Sequence, residues 1–557
     1  MAWKSKIVVV LIIVWFALIV QYNTNFIIPG HISYIIPKPK HYNSNRIISE
    51  STLKNYSATE VYTNRSEFKH AVLTTNKPRS TIRNLIVSLT ENVGMIDLIK
   101  TTFQLKNPNR TVKVGDYFNV TIEARDRNGR HRKKGGDFLF ASIKSNKGNS
   151  AGKVTDFNNG TYEIVFFAGW PGIISIAVVL VHPSEAVDYI EQEVWPMKER
   201  IVWQGRFQTA NASQITTCRF RDDVLLNSCN YSYPLAIGKT AFYCDKPDQI
   251  PCNKLINLKS DGDYVNKKFS KFYNSHQTLF NGDVAYKLLI NGTTSVNISL
   301  ADNQTSLFAN IPECKADLPI PPSDGFWTGA TWNSLKCKTK QWTKPEIIEC
   351  IKGKHIILMG DSTTRQWAEG LLEIMKVSTN ENTSRPSVKH YLHHSDIMNL
   401  DFYFHPYTIG KAGMPYRLGK WEYEILDNLN YTSCNYVIMA SPWAHYSQWT
   451  KNNVLKRLQL LRETLLRFKK RCPNAPVLMK TPHPREHKNQ ATRIYMSDRL
   501  LYDIHELYFN IFSGLGIHII DIWDMNLSYP RINNVHMPMQ VIYQELFMMF
   551  SHICPVT

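Results

Sequence analysis

Hydrophobic and polar positions change period along the chain, and each change marks a different kind of structure. Ile7 to Val20 is an unbroken apolar run, preceded by Lys4 and Lys6 and followed by polar Gln21, Asn23 and Asn25. Residues 26–79 are rich in Asn, Ser, Thr, Lys and Tyr without a sustained period, the pattern of a stem. From residue 80 a period of two takes over: Phe118, Val120, Ile122 and Ala124 alternate with Asn119, Thr121 and Glu123, and Tyr162, Ile164 and Phe166 repeat the pattern. Asn158-Asn159-Gly160 is a tight-turn candidate, and Ile173 to Val181 reads as a buried strand ended near Pro183. Short strands at this spacing predict a β-sandwich over 80–192. Residues 193–345 hold six of the ten cysteines and few long periodic segments, which predicts a disulfide-held connector. After 346 strands and helices alternate. Strands His355 to Met359, Tyr436 to Met439, Pro476 to Lys480 and Ile517 to Asp521 are separated by helical patterns carrying Trp367, Leu371 and Ile374, then Val454, Leu458, Leu461, Leu465 and Phe468, then Leu500, Ile504, Leu507 and Ile511. That order predicts a parallel α/β sheet over 346–557.

Composition narrows the setting. With 557 residues and 43% hydrophobic content the chain is globular and multi-domain. Lys and Arg total 65 against 46 Asp and Glu, a formal charge of +19 that favours anionic partners. No zinc finger, RNA-binding signature or basic tail points to nucleic acid. The Arg125 to Lys134 loop reads as a solvated turn, with contact to an anionic glycan as the alternative. The apolar run fits an uncleaved type II anchor over residues 1–25, since basic residues precede it and no small-x-small cleavage signal follows; a signal peptide is the alternative. Sequons at Asn55, Asn64, Asn109, Asn119, Asn159, Asn211, Asn230, Asn291, Asn297, Asn303, Asn382, Asn430 and Asn526 agree with a lumenal body. So do ten cysteines, enough for five disulfides. With neither Cys-x-x-Cys nor His-Glu-x-x-His present, no metal is expected.

Candidate chemistry concentrates in the last third. Gly360-Asp361-Ser362 follows the apolar strand His355 to Met359 and opens a helix, so Ser362 sits where open α/β sheets bind ligands. Its Oγ is a candidate nucleophile and its N–H an oxyanion donor, while Asp361 or Ser362 as a simple helix cap is the competing reading. His536, in the loop after the last strand, is the candidate base. Asp521 and Asp524, at the end of that strand, are candidates to orient it. Gly360 and Asp361 in the turn are oxyanion or substrate candidates, and His483 is a minor one. Phe326 to Trp332 either packs against disulfides or lines the cleft.

Gly360-Asp361-Ser362, the Asn533-Asn534-Val535-His536-Met537-Pro538 segment and Cys554 resemble the PC-esterase branch of the SGNH/GDSL hydrolases. Val114 to Asp116, Gly152 to Asp156 and Gly169 to Gly172 resemble a filamin-type Ig-like repeat, as in neurexophilins. Together they resemble the neurexophilin and PC-esterase domain (NXPE) family. The resemblance implies an Ig-like sandwich followed by an SGNH-type α/β domain, and Ser-His acyl chemistry on glycans. The expected activity is O-acetyl transfer from a donor such as acetyl-CoA, or acetyl-ester hydrolysis, with sialic acid as the expected glycan, in a Golgi-membrane protein. Asn533 stands where PC-esterases carry the Asp that orients the histidine, with Asp521 or Asp524 as replacements. Trp443 stands in the loop where the superfamily places an oxyanion donor and relatives tend to have Gly, and His445 matches a family histidine, so the resemblance makes His445 and Arg365 substrate-contact candidates. Those departures support the alternative, an inert secreted or surface glycoprotein that binds a receptor through its Ig-like part.

Overall fold

The computed structural model describes residues 94–262, 277–280, 288–292, 294–301, 308, 310–377, 391–409, 413–488, 491–531, 534–554 and 556. The expected anchor and stem lie outside them, and no helix among the described residues is long and apolar enough to cross a membrane.

The alternating runs pair as strands. Tyr117–Glu123 lies antiparallel to Thr161–Phe167 in one sheet, and Phe138–Lys144 antiparallel to Gly172–His182 in another. Val120, Ile122, Ile164 and Phe166 from the first sheet meet Ile143, Ile174 and Val178 from the second in one apolar core, the arrangement of a β-sandwich. The turn at Asn158 to Gly160 joins Lys153–Asp156 to Thr161–Phe167 and uses left-handed backbone at Asn158 (φ 59°) and Gly160 (φ 85°). The Arg125 to Lys134 loop is not simply solvated. Arg132 is buried, bonded to Asp137 at 3.1 Å and to Glu185 at 2.7 Å.

The chain between the two expected domains is more than a connector. Trp203–Gln208, Ser213–Arg221, Ser228–Ser232, Ala241–Asp245 and Leu255–Ser260 form a sheet that Met414–Pro415 of the C-terminal unit joins at its edge, pinned by Cys218–Cys244 and Cys229–Cys252. The chain then returns to the sandwich: Ser295–Ser299 pairs with Gly172–His182, and the hairpin Gly325–Thr328 with Thr331–Ser334 extends the same sheet. Trp327 on that hairpin is buried, and its indole N–H reaches the Met525 carbonyl at 2.9 Å, so it joins the sandwich to the C-terminal unit instead of packing on a disulfide.

That unit is built on a six-stranded sheet. We number its strands β1 (His355–Gly360), β2 (Tyr391–His394), β3 (Asn399–Phe404), β4 (Tyr436–Ser441), β5 (Val477–Lys480) and β6 (His518–Ile520), in spatial order β2-β3-β1-β4-β5-β6. Only β2 runs antiparallel. The sheet is flanked by helices α1 (Ser362–Met375), α2 (Lys451–Arg471), α3 (Asp498–Phe512) and α4 (Met539–Ile553). Burial follows the predicted faces, with shifts: α1 buries Met375 more fully than Ile374, and α3 buries Tyr508 and Phe512 where Leu507 and Ile511 are half-buried. Cys350–Cys554 joins the segment before β1 to the end of α4, and Cys434–Cys472 and Cys314–Cys337 complete five disulfides with no free cysteine.

Candidate active site

Parallel strands bring their carboxyl ends to one edge, and the loops leaving β1, β3, β4 and β5 meet there. At the end of β1 the backbone turns sharply. A Cβ on Gly360 would sit 2.3 Å from Thr364 Oγ1 and 2.8 Å from the Ser441 carbonyl oxygen, so only glycine fits. Asp361 is the N-cap of α1: its carboxylate accepts from Thr363 N at 2.8 Å and from Thr363 Oγ1 at 2.7 Å. It also accepts from Ala444 N at 2.7 Å and Trp443 N at 3.4 Å, tying the loop after β4 to the nucleophile turn. Burial disfavours its charge, but His445, Lys480, His405 and the Thr363 bond outweigh that and hold the carboxyl below its usual range.

Ser362 opens α1, where its N–H has no acceptor within the helix and the dipole favours an anion. Its Oγ lies 2.7 Å from His536 Nε2 across 174 residues of sequence. Burial lowers the His536 pKa, and Arg365 and Arg485 lower it further against Asp361 and Glu486. The loop carrying His536 is tied down by Val535 N, which donates to Glu486 at 2.9 Å, and by His536 N, which donates to Asn534 Oδ1 at 3.3 Å.

The other candidates divide. Arg365 stands one turn along α1 from Ser362, 3.2 Å from Glu369, and acts on both His445 and His536. His445 faces the same crevice; its Nδ1 lies 2.9 Å from His405 Nε2, and burial takes its pKa down to about 4. Asp361, expected as an oxyanion or substrate group, is instead a fully buried anchor. Trp443 is not an oxyanion donor: its backbone N–H is directed at Asp361, and its ring is buried against His483. His483 bonds the Pro484 carbonyl and is also buried.

Neither aspartate after β6 reaches His536. Asp521 accepts from His505 Nε2 at 3.0 Å and from Trp523 N at 3.1 Å, inside the core. Burial and Asp324 push the Asp524 carboxyl up to about 8, beside Lys153 of the sandwich. Asn533 lies outside the described residues, and among those described no carboxylate bonds the His536 ring. Asn526 also fails as a glycan acceptor. It is buried, with its amide donating to Ile522 O at 2.8 Å and Glu545 at 2.9 Å, whereas Asn109, Asn159, Asn211, Asn230, Asn291, Asn297 and Asn430 are exposed. Asn119 is half-buried and bonded to Glu163, and Asn55, Asn64, Asn303 and Asn382 lie outside the described residues.

Sequence reasoning missed His405, Lys480, Arg485 and Glu486. Lys480 is buried at the end of β5, donating to Thr363 O at 2.9 Å, and so braces the first turn of α1. The signal for His405 was the alternation of Leu400, Phe402 and Phe404 directly before it.

Fold and crevice together define a disulfide-bonded chain of the secretory pathway that joins a β-sandwich to a parallel α/β unit holding a serine–histidine pair. A family model described as "NXPE family member 4-like, C-terminal domain" matches residues 332–554, and one described as "Neurexophilin" matches residues 79–300. The chain belongs to the NXPE family. Among solved structures it is similar to invasin, a bacterial integrin-binding protein, at 15% identity over 30% of this chain and 38% of invasin, with a TM-score of 0.13. A likeness that low carries no argument about fold or function.

Proposed function

We propose that the chain is an O-acyltransferase or acetylesterase acting on a glycan hydroxyl, with O-acetylation of sialic acid on a Golgi-anchored enzyme as the leading reaction. The observation that carries this reading is the 2.7 Å approach of His536 Nε2 to Ser362 Oγ at the carboxyl edge of a parallel sheet. In the reaction, His536 takes the Ser362 proton while Oγ bonds the acyl carbon of a donor such as acetyl-CoA. The carbon–sulfur bond then breaks and the thiol leaves with that proton. An acceptor hydroxyl next passes its proton to His536 and attacks the acyl-serine, and the proton returns to Oγ. The tetrahedral oxyanion faces the Ser362 N–H and the positive end of α1, and His445, coupled electrostatically to His536, is a candidate for a further donor. The PC-esterase resemblance supports an SGNH-type assignment for the α/β unit. The basic surface and Arg365 suit an anionic acceptor.

The test is a serine-directed fluorophosphonate on the full chain, together with mass spectrometry of cell-surface sialic acids. Labelling and a change in O-acetylation are expected with the wild type and not with Ser362→Ala. A gain of acetyl marks a transferase and a loss an esterase. Labelling unchanged in Ser362→Ala sinks the catalytic reading and favours a receptor-binding glycoprotein, the reading that an uncompensated His536 imidazolium would support.

A further inference from the structure

At the opposite end of β1 from Ser362, three side chains with metal-ligating atoms converge. His355 opens β1, His394 closes β2, and Asp401 lies on β3 between them in the sheet. Asp401 turns one carboxylate oxygen to each histidine: Oδ1 lies 2.7 Å from His394 Nε2 and Oδ2 lies 3.0 Å from His355 Nε2. The His394 contact is a hydrogen bond. His355 Nε2 is buried and faces the same carboxylate, so both imidazoles turn a ring nitrogen toward Asp401. The Tyr403 hydroxyl donates to Asp401 Oδ2 at 3.3 Å and fixes the carboxylate from behind, and the His355 ring packs against Tyr436.

We infer that His355, His394 and Asp401 form a binding site for a divalent transition metal, of which zinc fits best. Two imidazoles and one carboxylate are an all-nitrogen-and-oxygen donor set suited to zinc, whereas calcium and magnesium favour sites made of oxygen alone. The three ligand atoms lie within 4.8 Å of one another. Tetrahedral zinc with bonds of about 2.1 Å needs them about 3.4 Å apart. Rotation of His394 adjusts the spacing, since 57% of its side chain is exposed whereas Asp401 is held at 8%. The same exposure gives the ion a path in and leaves water a fourth position. The site lies at the opposite end of β1 from the Ser362 turn, about 17 Å of strand away, so the ion is no part of the acyl chemistry. What it does is clamp β2, the one antiparallel strand and an edge of the sheet, to β3 and β1.

The experiment uses the full chain purified in detergent through a tag that contains no histidine. The protein is stripped with EDTA, dialysed against zinc and analysed by plasma mass spectrometry. Wild type and Ser362→Ala are each expected to hold about one zinc, and His394→Ala and Asp401→Asn less than about a fifth of that. Cobalt in place of zinc is expected to give the visible bands of a four-coordinate ion in the wild type and none in His394→Ala. Zinc is expected to raise the melting temperature of the wild type and leave that of His394→Ala unchanged. His394→Ala alters a largely exposed side chain, so circular dichroism matching the wild type keeps the comparison fair. A wild type without zinc, or a folded His394→Ala that binds as much as the wild type, overturns the proposal and leaves a histidine–aspartate hydrogen-bond cluster.

Discussion

Two histidines near the end of the α/β unit face oxygen atoms at almost the same distance and have opposite properties. His505 Nε2 lies 3.0 Å from Asp521 in the core, and the paired charge raises its pKa to about 9 against the cost of burial. His536 Nε2 lies 2.7 Å from the neutral Ser362 hydroxyl at an exposed edge, and its pKa is lowered. An imidazole paired with a carboxylate is a fixed cation and holds a fold together. One paired with a hydroxyl stays neutral and keeps a lone pair for proton transfer.

The sharpest way to break this comparison is to remove either member of the open pair. Ser362→Ala and His536→Ala are each expected to cost at least about 10³-fold in acyl-transfer turnover, with the melting temperature little changed. Retained turnover in either would make the 2.7 Å contact incidental. Next comes the closed pair. Asp521→Ala strands a buried cation, and a loss of about 3–5 kcal/mol in thermal or denaturant unfolding is expected. Its pH dependence has a definite sign. The His505 contribution is fully present below its unfolded pKa of about 6.5 and is lost as pH rises through about 9. The Asp521 contribution, from a carboxyl held well below its usual range, is lost only as pH falls below about 4. Wild-type stability is therefore expected to fall between neutral and alkaline pH, and a flat profile in His505→Gln would confirm the source.

Gly360→Ala tests how tightly the open pair is positioned. Its Cβ meets Thr364 Oγ1 and the Ser441 carbonyl, so Ser362 must move, and about 10–100-fold lower turnover with a smaller stability loss is expected. The smallest effect sharpens the electrostatics. The acid limb of the rate profile is expected below the ordinary imidazole value of about 6.5. Arg365→Gln removes a cation acting on His536 and is expected to move that limb slightly upward, because His536 is exposed and screened.

Much of the α/β unit was legible because fully buried parallel strands and amphipathic helices leave strong periodic patterns. Ser362 and His536 followed from their positions after such strands. What stayed hidden depended on contacts between distant loops. Asp521 has the right residue type and stands at the end of the right strand, but His505 on α3 claims it, and nothing in the local sequence records that pairing. Trp443 N–H follows β4 as an oxyanion donor should, yet it is spent on Asp361. Strand β3 carries the alternation of Leu400, Phe402 and Phe404 but lacks the continuous apolar run of β1, β4 and β5, and its omission left out His405 and Asp401. Asn526 carries an intact sequon, but only tertiary packing shows that it is buried.

The Cys350–Cys554 disulfide spans 204 residues and encloses nearly the whole α/β unit, from the segment before β1 to the end of α4. A ring of that length removes more conformational freedom from the unfolded chain than the shorter rings do. The first strand and the last helix of the unit are thus covalently one, and reducing this bridge is expected to lower its thermal stability more than reducing Cys434–Cys472, which closes a ring of 38 residues.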